Sequence, residues 1–227
     1  MLLDTNPNIN GVIFDLDGVV VDTAHFHYTS WKALASEWKY TLTHEDNEKL
    51  KGISRKDSVV KIASWAKVKV SENELNEVAN RKNEKYLALC TALTPNDILP
   101  GISEFIHELK ASNVKVALGS ASKNALFVLN KLKLTDFFDV VVDGNNVTNS
   151  KPDPEVFIKA AKLMNLDPKK CVVVEDAPAG IEAALSAGML TVGLGNAEEL
   201  RNAHLILPNA ENLTLEQLNK LNQYHLT

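Results

Sequence analysis

Cysteine is scarce: Cys90 and Cys171 are the only two in 227 residues, far apart and in apolar surroundings. So small a supply excludes a disulfide-stapled scaffold, and both read as small buried hydrophobes. Positive charge is not in excess, since 24 Lys and Arg oppose 29 Asp and Glu for a formal net charge of −5. That balance excludes the broad basic surface a nucleic-acid binder needs and leaves room for a local basic pocket around one small phosphate. The opening residues carry Asp4 and several polar side chains, without a basic start or a long apolar run. Neither a signal peptide nor a membrane anchor is expected, and the cytoplasm is the default location. Repeats and low-complexity segments are missing too. What is present is ordinary: 45% hydrophobic and 23% charged residues exclude wholesale disorder. A length of 227 residues exceeds one average domain without filling two, which suits one α/β domain carrying a small insertion.

Short apolar runs recur along the chain, and the first, Gly11 to Asp15, ends on a carboxylate. Val114 to Gly119, Val140 to Asp143, Val172 to Asp176 and Leu190 to Gly193 resemble it, and Leu205 to Leu207 is a weaker sixth. Helical patterns separate them over Ile102 to Ala111, Asn124 to Leu132, Glu155 to Met164 and Ala179 to Ala187, with Asp153-Pro154 as one helix start and Thr214 opening a short terminal helix. Alternation of this kind predicts an α/β fold with a parallel sheet covered by helices on both faces, and a ligand site at the carboxyl ends of its strands. The stretch from Ala24 to Cys90 breaks the alternation and reads as wholly helical, with helix starts at Ser54 and Ser71. The expected division is therefore a core of residues 1–23 and 91–227 and a helical insertion of residues 24–90.

Polar residues gather where the strands end. Asp15-Leu16-Asp17-Gly18 puts two carboxylates just past the first strand, with a glycine that lets the chain turn. Glu175-Asp176 supplies a second acidic pair at the same edge, and crowded carboxylates call for a hard divalent cation. Ser120 ends the second strand, where its hydroxyl and the following N–H groups can hold a phosphate; Ser122 reads first as the cap of the next helix. Lys151 precedes a proline after the third strand. In the insertion, Lys51 and Arg55 flank a turn that Gly52 permits and Ser54 closes, an arrangement able to hold a second anion. Thr23 and His27 stand where the chain leaves the core, with Trp31 one turn beyond. His25 and His44 are expected to face solvent, and Arg81-Lys82-Asn83 lies on the last helix of the insertion, either returning to the cleft or, the stronger reading, forming an exposed charged helix face.

Asp15-Leu16-Asp17-Gly18-Val19, Gly119-Ser120-Ala121-Ser122, Lys151-Pro152 and Glu175-Asp176, in that order, resemble the haloacid dehalogenase-like superfamily. The resemblance implies a Rossmann-like parallel-sheet core with an inserted helical cap of the C1 type. It implies that Asp15 attacks phosphorus to give an aspartyl-phosphate, that Asp17 is general acid and base, and that Mg²⁺ is held by Asp15, the Asp17 carbonyl, Glu175 and Asp176. A bare carboxylate nucleophile would also explain why no Ser-His-Asp triad and no Gly-rich phosphate loop is needed. With Thr23, His27, Trp31 to Ala35, Lys51-Gly52, Ser54-Arg55 and Ser120 to Asn124 added, the chain looks like the β-phosphoglucomutase family of that superfamily. That likeness implies interconversion of β-glucose 1-phosphate and glucose 6-phosphate through β-glucose 1,6-bisphosphate. Ser120 and Lys151 would hold the transferring phosphate, Arg55, Ser122 and Asn124 the distal one, and His27 and Lys51 would align the sugar and gate closure. Thr23, Trp31, Gly52, Ser58 and Ala121 complete the expected substrate contacts. Ala177-Pro178 departs from the family, which more often carries a polar residue there. A Mg²⁺-dependent sugar-phosphate phosphatase is the nearest alternative and a non-catalytic sugar-phosphate sensor a more distant one. A monomer acting on a small phosphorylated sugar, with no nucleic-acid or membrane partner, is expected.

Overall fold

The six apolar runs become six strands in the structure, a computed structural model that describes residues 9–51 and 53–225. In chain order the elements are β1 (Gly11–Phe14), α1 (Ala24–Glu37), α2 (His44–Glu48), α3 (Arg55–Ala66), α4 (Glu72–Cys90), α5 (Ile102–Ala111) and β2 (Lys115–Gly119). There follow α6 (Ala125–Leu132), β3 (Val140–Val142), α7 (Glu155–Leu163), β4 (Cys171–Glu175), α8 (Pro178–Ser186), β5 (Leu190–Leu194), β6 (Leu205–Leu207) and α9 (Leu215–Lys220). The sheet runs β3-β2-β1-β4-β5-β6 and every pairing is parallel. The strand order therefore reverses beside β1, and the crevice outside the carboxyl ends lies there.

All residues of β1, β4 and β5 are buried, as strands covered on both faces must be. Side chains alternate across β1: Val12 and Phe14 join one cluster with Phe105, Ile106 and Val128 from α5 and α6. Ile13 joins the other, with Phe157 and Ala160 of α7 and Ala183 of α8. Between β1 and β2 the helices α1 to α4 build a third cluster of their own from Trp31, Leu34, Leu42, Val59, Ile62 and Val78. The last turn of α4 leaves it, because Tyr86 and Cys90 pack into the main core. The chain departs and returns side by side, with Val21 bridged antiparallel to Ile98 and the Leu99 N–H donating to the Val20 carbonyl at 2.9 Å.

Local signals mostly hold. Ser71 and Glu74 form a reciprocal capping box at α4, and Thr214 caps α9. Thr43 and Asp46 form a box at the short α2, a start the sequence reading did not single out. Two caps shift. Pro154, not Asp153, stands at the cap of α7, with the Asp153 carboxylate accepting the Glu155 N–H. Asn124, not Ser122, stands at the cap of α6, because the Ser122 hydroxyl accepts the Asn124 N–H and turns the chain one residue pair earlier. Both cysteines are free and fully buried, and burial pushes their thiols up, to about 11 for Cys90 and about 12 for Cys171.

Candidate active site

Asp15 leaves the end of β1 and is 7% exposed. Its Oδ2 accepts the Asp17 N–H at 3.0 Å and its Oδ1 accepts Lys151 Nζ at 2.5 Å. The turn that brings Asp17 back requires Gly18, which has φ +84° and lies so close to Asp176 that a Cβ would collide with its carboxylate. Lys151 is buried and also donates to Glu175 Oε1 at 2.7 Å. Burial works against its ammonium, but Asp15 and Glu175 together hold its pKa above the usual lysine range. Glu175, expected at the metal, spends its other oxygen on the Ala177 N–H at 2.7 Å. Its position rests on a bare helix face: a Cβ at Gly180 would overlap the Glu175 carboxyl group. Gly180→Ala is therefore expected to destabilise the protein by about 1–3 kcal/mol and to slow phosphoryl transfer, because Lys151 loses a fixed partner. Denaturant unfolding beside a turnover assay checks it, and unchanged values in both would refute this placement of Glu175.

Asp17 is shaped as an acid. Burial and the neighbouring Asp15 raise its pKa to about 6, against the lowering pull of Thr23, Lys82 and Lys151. The Thr23 hydroxyl donates to Asp17 Oδ1. His27 Nε2 stands 3.8 Å from the same oxygen, while Nδ1 pairs with Lys82 Nζ at 2.9 Å. Burial, then Lys82 and Arg55, hold His27 well below its ordinary pKa, so the ring is neutral, with Nε2 turned towards Asp17 beyond hydrogen-bond distance.

Lys82 corrects the sequence reading. It is 4% exposed rather than part of a solvated face, with Nζ 4.1 Å from the Trp31 ring centre and 4.8 Å from that of Tyr86. The available signal was its place in the α4 stripe Val78, Ala79, Lys82, Tyr86, Cys90, where every other member is apolar or aromatic and buried. His25 and His44 are exposed as expected.

A cavity of about 980 Å³ opens between the strand ends and the insertion. From the core, Asp15, Asp17, Ser120, Ala121, Ser122, Asn124, Lys151 and Asp176 line it. From the insertion come His27, Trp31, Lys51, Arg55 and Ser58. Thr23 and Glu175 sit behind this wall, each fully buried and bonded to a residue of it. Gly52 lies outside the described residues. Among the described residues three side-chain-to-side-chain hydrogen bonds cross from insertion to core, beside the longer His27–Asp17 approach: Lys51 Nζ to Asp176 Oδ2 at 3.2 Å, Ser150 Oγ to Asp57 Oδ2 at 3.1 Å, and Asn124 Nδ2 to Asn83 Oδ1 at 2.7 Å. Sequence reasoning missed Asp57 and Ser150 as contacts across the cleft, whereas Asn83 lies on the helix it had offered as returning there.

Among the described residues no three His, Cys, Asp or Glu side chains cluster as a ready-made metal cage. Two carboxylates, Asp15 and Asp176, line the cavity floor beside Asp17. Such a sparse set of hard oxygens fits an ion that completes its shell with water and substrate phosphate, as Mg²⁺ does. Asp176 also needs a cation: burial, then Glu175 and Asp15, raise its pKa to about 8 despite Lys51.

Two carboxylates and a buried lysine stand together at the switch point of a parallel sheet, an arrangement suited to phosphoryl transfer. The chain matches the family of haloacid dehalogenase-like hydrolases over residues 12–194 and belongs to it. Within that family it is 41% identical to a β-phosphoglucomutase of Bacillus subtilis over 214 residues, covering 93% of this chain and 95% of the relative. The crystal structure of a β-phosphoglucomutase from Clostridium difficile superposes with a TM-score of 0.92 at 42% identity, covering 96% of this chain and 99% of the other. A phosphorylated carbohydrates phosphatase of Thermotoga maritima is 32% identical over 184 residues, 80% of this chain and 82% of the relative.

Proposed function

We propose that the chain is a phosphosugar mutase interconverting β-glucose 1-phosphate and glucose 6-phosphate through a phosphorylated Asp15 and a β-glucose 1,6-bisphosphate intermediate. The observation that carries this reading is Arg55. Its half-buried guanidinium lines the cavity from the insertion and makes no salt bridge with any described carboxylate. A hydrolase holds one phosphate; a bisphosphate intermediate has a second, and a free planar guanidinium is the group that binds it in two-point fashion. The two mutase relatives support the same reading over nearly the whole chain.

In this mechanism an Asp15 carboxylate oxygen bonds to phosphorus as the sugar oxygen leaves, and Asp17 donates a proton to that oxygen. A pKa of about 6 lets Asp17 give the proton in one half-reaction and take it in the other. Lys151 and Ser120 face the phosphoryl oxygens, where Lys151 offsets repulsion between the carboxylate and the dianion. A divalent ion, Mg²⁺ in this reading, would be held by Asp15, Asp176 and the Asp17 carbonyl and would supply further positive charge against the phosphoryl oxygens. Residues 24–90 act as a cap on the core of residues 1–23 and 91–227, shutting out water during transfer. Every group invoked comes from one chain, so a monomer suffices. No helix among the described residues is long and apolar enough to cross a membrane.

The test supplies enzyme, Mg²⁺ and trace bisphosphate with β-glucose 1-phosphate, the α anomer serving as control, and measures glucose 6-phosphate and free phosphate together. Glucose 6-phosphate is the expected main product. Arg55→Ala should lose at least about tenfold on the bisphosphate while hydrolysis of an aryl phosphate changes little. Free phosphate as the dominant wild-type product would replace the reading with a phosphatase, and binding without turnover would replace it with a sensor.

A further inference from the structure

Between β3 and α7 the four residues Thr148 to Lys151 are tied to three different parts of the molecule. Glu155, in the first turn of α7, accepts the Thr148 N–H at 3.0 Å and the Asn149 N–H at 2.8 Å, fixing the backbone to the core. The next residue, Ser150, donates its hydroxyl across the cavity mouth to Asp57 Oδ2 at 3.1 Å. The one after that, Lys151, reaches Asp15 and Glu175. On the other side, Asp57 is the third residue of α3, whose first residue is Arg55. Asp57 Oδ2 also takes the Ser54 hydroxyl at 2.5 Å, so the carboxylate belongs to the same turn that presents Arg55. One side-chain hydrogen bond thus joins the turn carrying one phosphate-facing cation to the strap carrying the other.

We propose that the Asp57–Ser150 bond sets the register between Arg55 and Lys151 and keeps the cavity shut, making Asp57 and Ser150 positioning residues that favour transfer to sugar over transfer to water. The inference rests on the mutase reading and deepens it. The three contacts between insertion and core are not equivalent. Lys51–Asp176 ends on a carboxylate suited to a metal, and Asn83–Asn124 ends on an amide lining the phosphate cavity, so ligands compete for both. The Asp57 carboxylate repels a phosphate and holds the Ser150 hydroxyl, and neither residue is among those assigned to the metal or the phosphates. Their bond can therefore persist with the cavity filled. A hydroxyl donating to a carboxylate is also a stronger tie than a neutral pair. The cap of α3 does not depend on it, because Ser54 accepts the Asp57 N–H with or without Ser150.

Ser150→Ala tests the idea while leaving that cap untouched. The readout is free phosphate released per glucose 6-phosphate formed, measured with Mg²⁺, bisphosphate and β-glucose 1-phosphate. The ratio should rise about fivefold, the scale of one exposed hydrogen bond. Asp57→Asn retains an acceptor and should stay near wild type. Asp57→Ala should match Ser150→Ala, and the double variant should be no worse than either single one, as for two ends of one bond. A ratio unchanged in Ser150→Ala overturns the proposal, as do additive effects in the double variant. If Asp57→Ala fails to fold, the comparison of Ser150→Ala with Asp57→Asn decides alone. The wild-type control separates the two readings: conversion by wild type with no effect in Ser150→Ala sinks only the tie, whereas hydrolysis by wild type sinks the mutase.

Discussion

Asp15→Asn should cut sugar-phosphate turnover by at least about 10⁴-fold while leaving the protein folded. The amide has no charge to offer phosphorus and cannot form the acyl phosphate on which both half-reactions depend. The exchange is nearly isosteric. Lys151 keeps Glu175 at 2.7 Å, so no buried ammonium is stranded, and the amide oxygen can still accept one of the two donors now shared by Asp15. Loss of one negative charge from a cavity floor already holding Asp17 and Asp176 offsets part of what the weaker pairing costs. Intact mass after incubation with the bisphosphate gives the sharpest check: wild type gains one phosphoryl group and the variant none. A phosphorylated variant would show that another group is the nucleophile.

Lys82→Met is expected to stabilise the protein by about 2 kcal/mol near neutral pH while impairing turnover. Burial, reinforced by Arg55, lowers the folded-state pKa of Lys82 from 10.5 to about 7, with Asp17 and Cys90 pulling the other way. At about pH 9 the unfolded chain holds a proton at Lys82 that the folded protein does not, so stability there rises with pH. The destabilisation is complete below about pH 7 and gone above about pH 10.5. A shift of this size corresponds to about 5 kcal/mol, from which the lost contacts with Trp31, Tyr86 and His27 must be subtracted. The gain should therefore vanish at about pH 8 and turn into a loss by about pH 10, where only the missing contacts remain. Urea unfolding at about pH 6.5 and about pH 9.5 measures it, and a gain that does not depend on pH would refute the electrostatic origin. Turnover should fall because His27 loses the partner at Nδ1 that holds its ring beside Asp17.

The core was legible because parallel strands write themselves as unbroken apolar runs, and the residues after them have one place to go. Asp15, Ser120, Lys151 and Asp176 were found in that way. The pair Glu175-Asp176 was less transparent: two acids in a row look alike, yet the last strand position turns Glu175 inward to Lys151, while Asp176 emerges into the cavity. Lys82 escaped because a lysine's solvent exposure is decided by what meets it in space; two aromatic faces and a histidine from α1 and α4 do so here. Ser150 and Asp57 escaped for a similar reason, being 93 residues apart with nothing local to pair them. The shifted cap at Asn124 reflects competition between two adjacent turns, since Ser120 Oγ accepts the Ser122 N–H just before Ser122 serves Asn124.

The bridge between Val21 and Ile98 makes the insertion, topologically, a loop whose two ends already touch. Closing a longer loop costs only about 0.6 kcal/mol for each doubling of its length, so the sheet is almost indifferent to how many residues hang from that point. Selection can therefore lengthen, shorten or replace the helices above the crevice without refolding the strands that carry the nucleophile. One junction a few residues wide is all that a change of substrate would have to preserve.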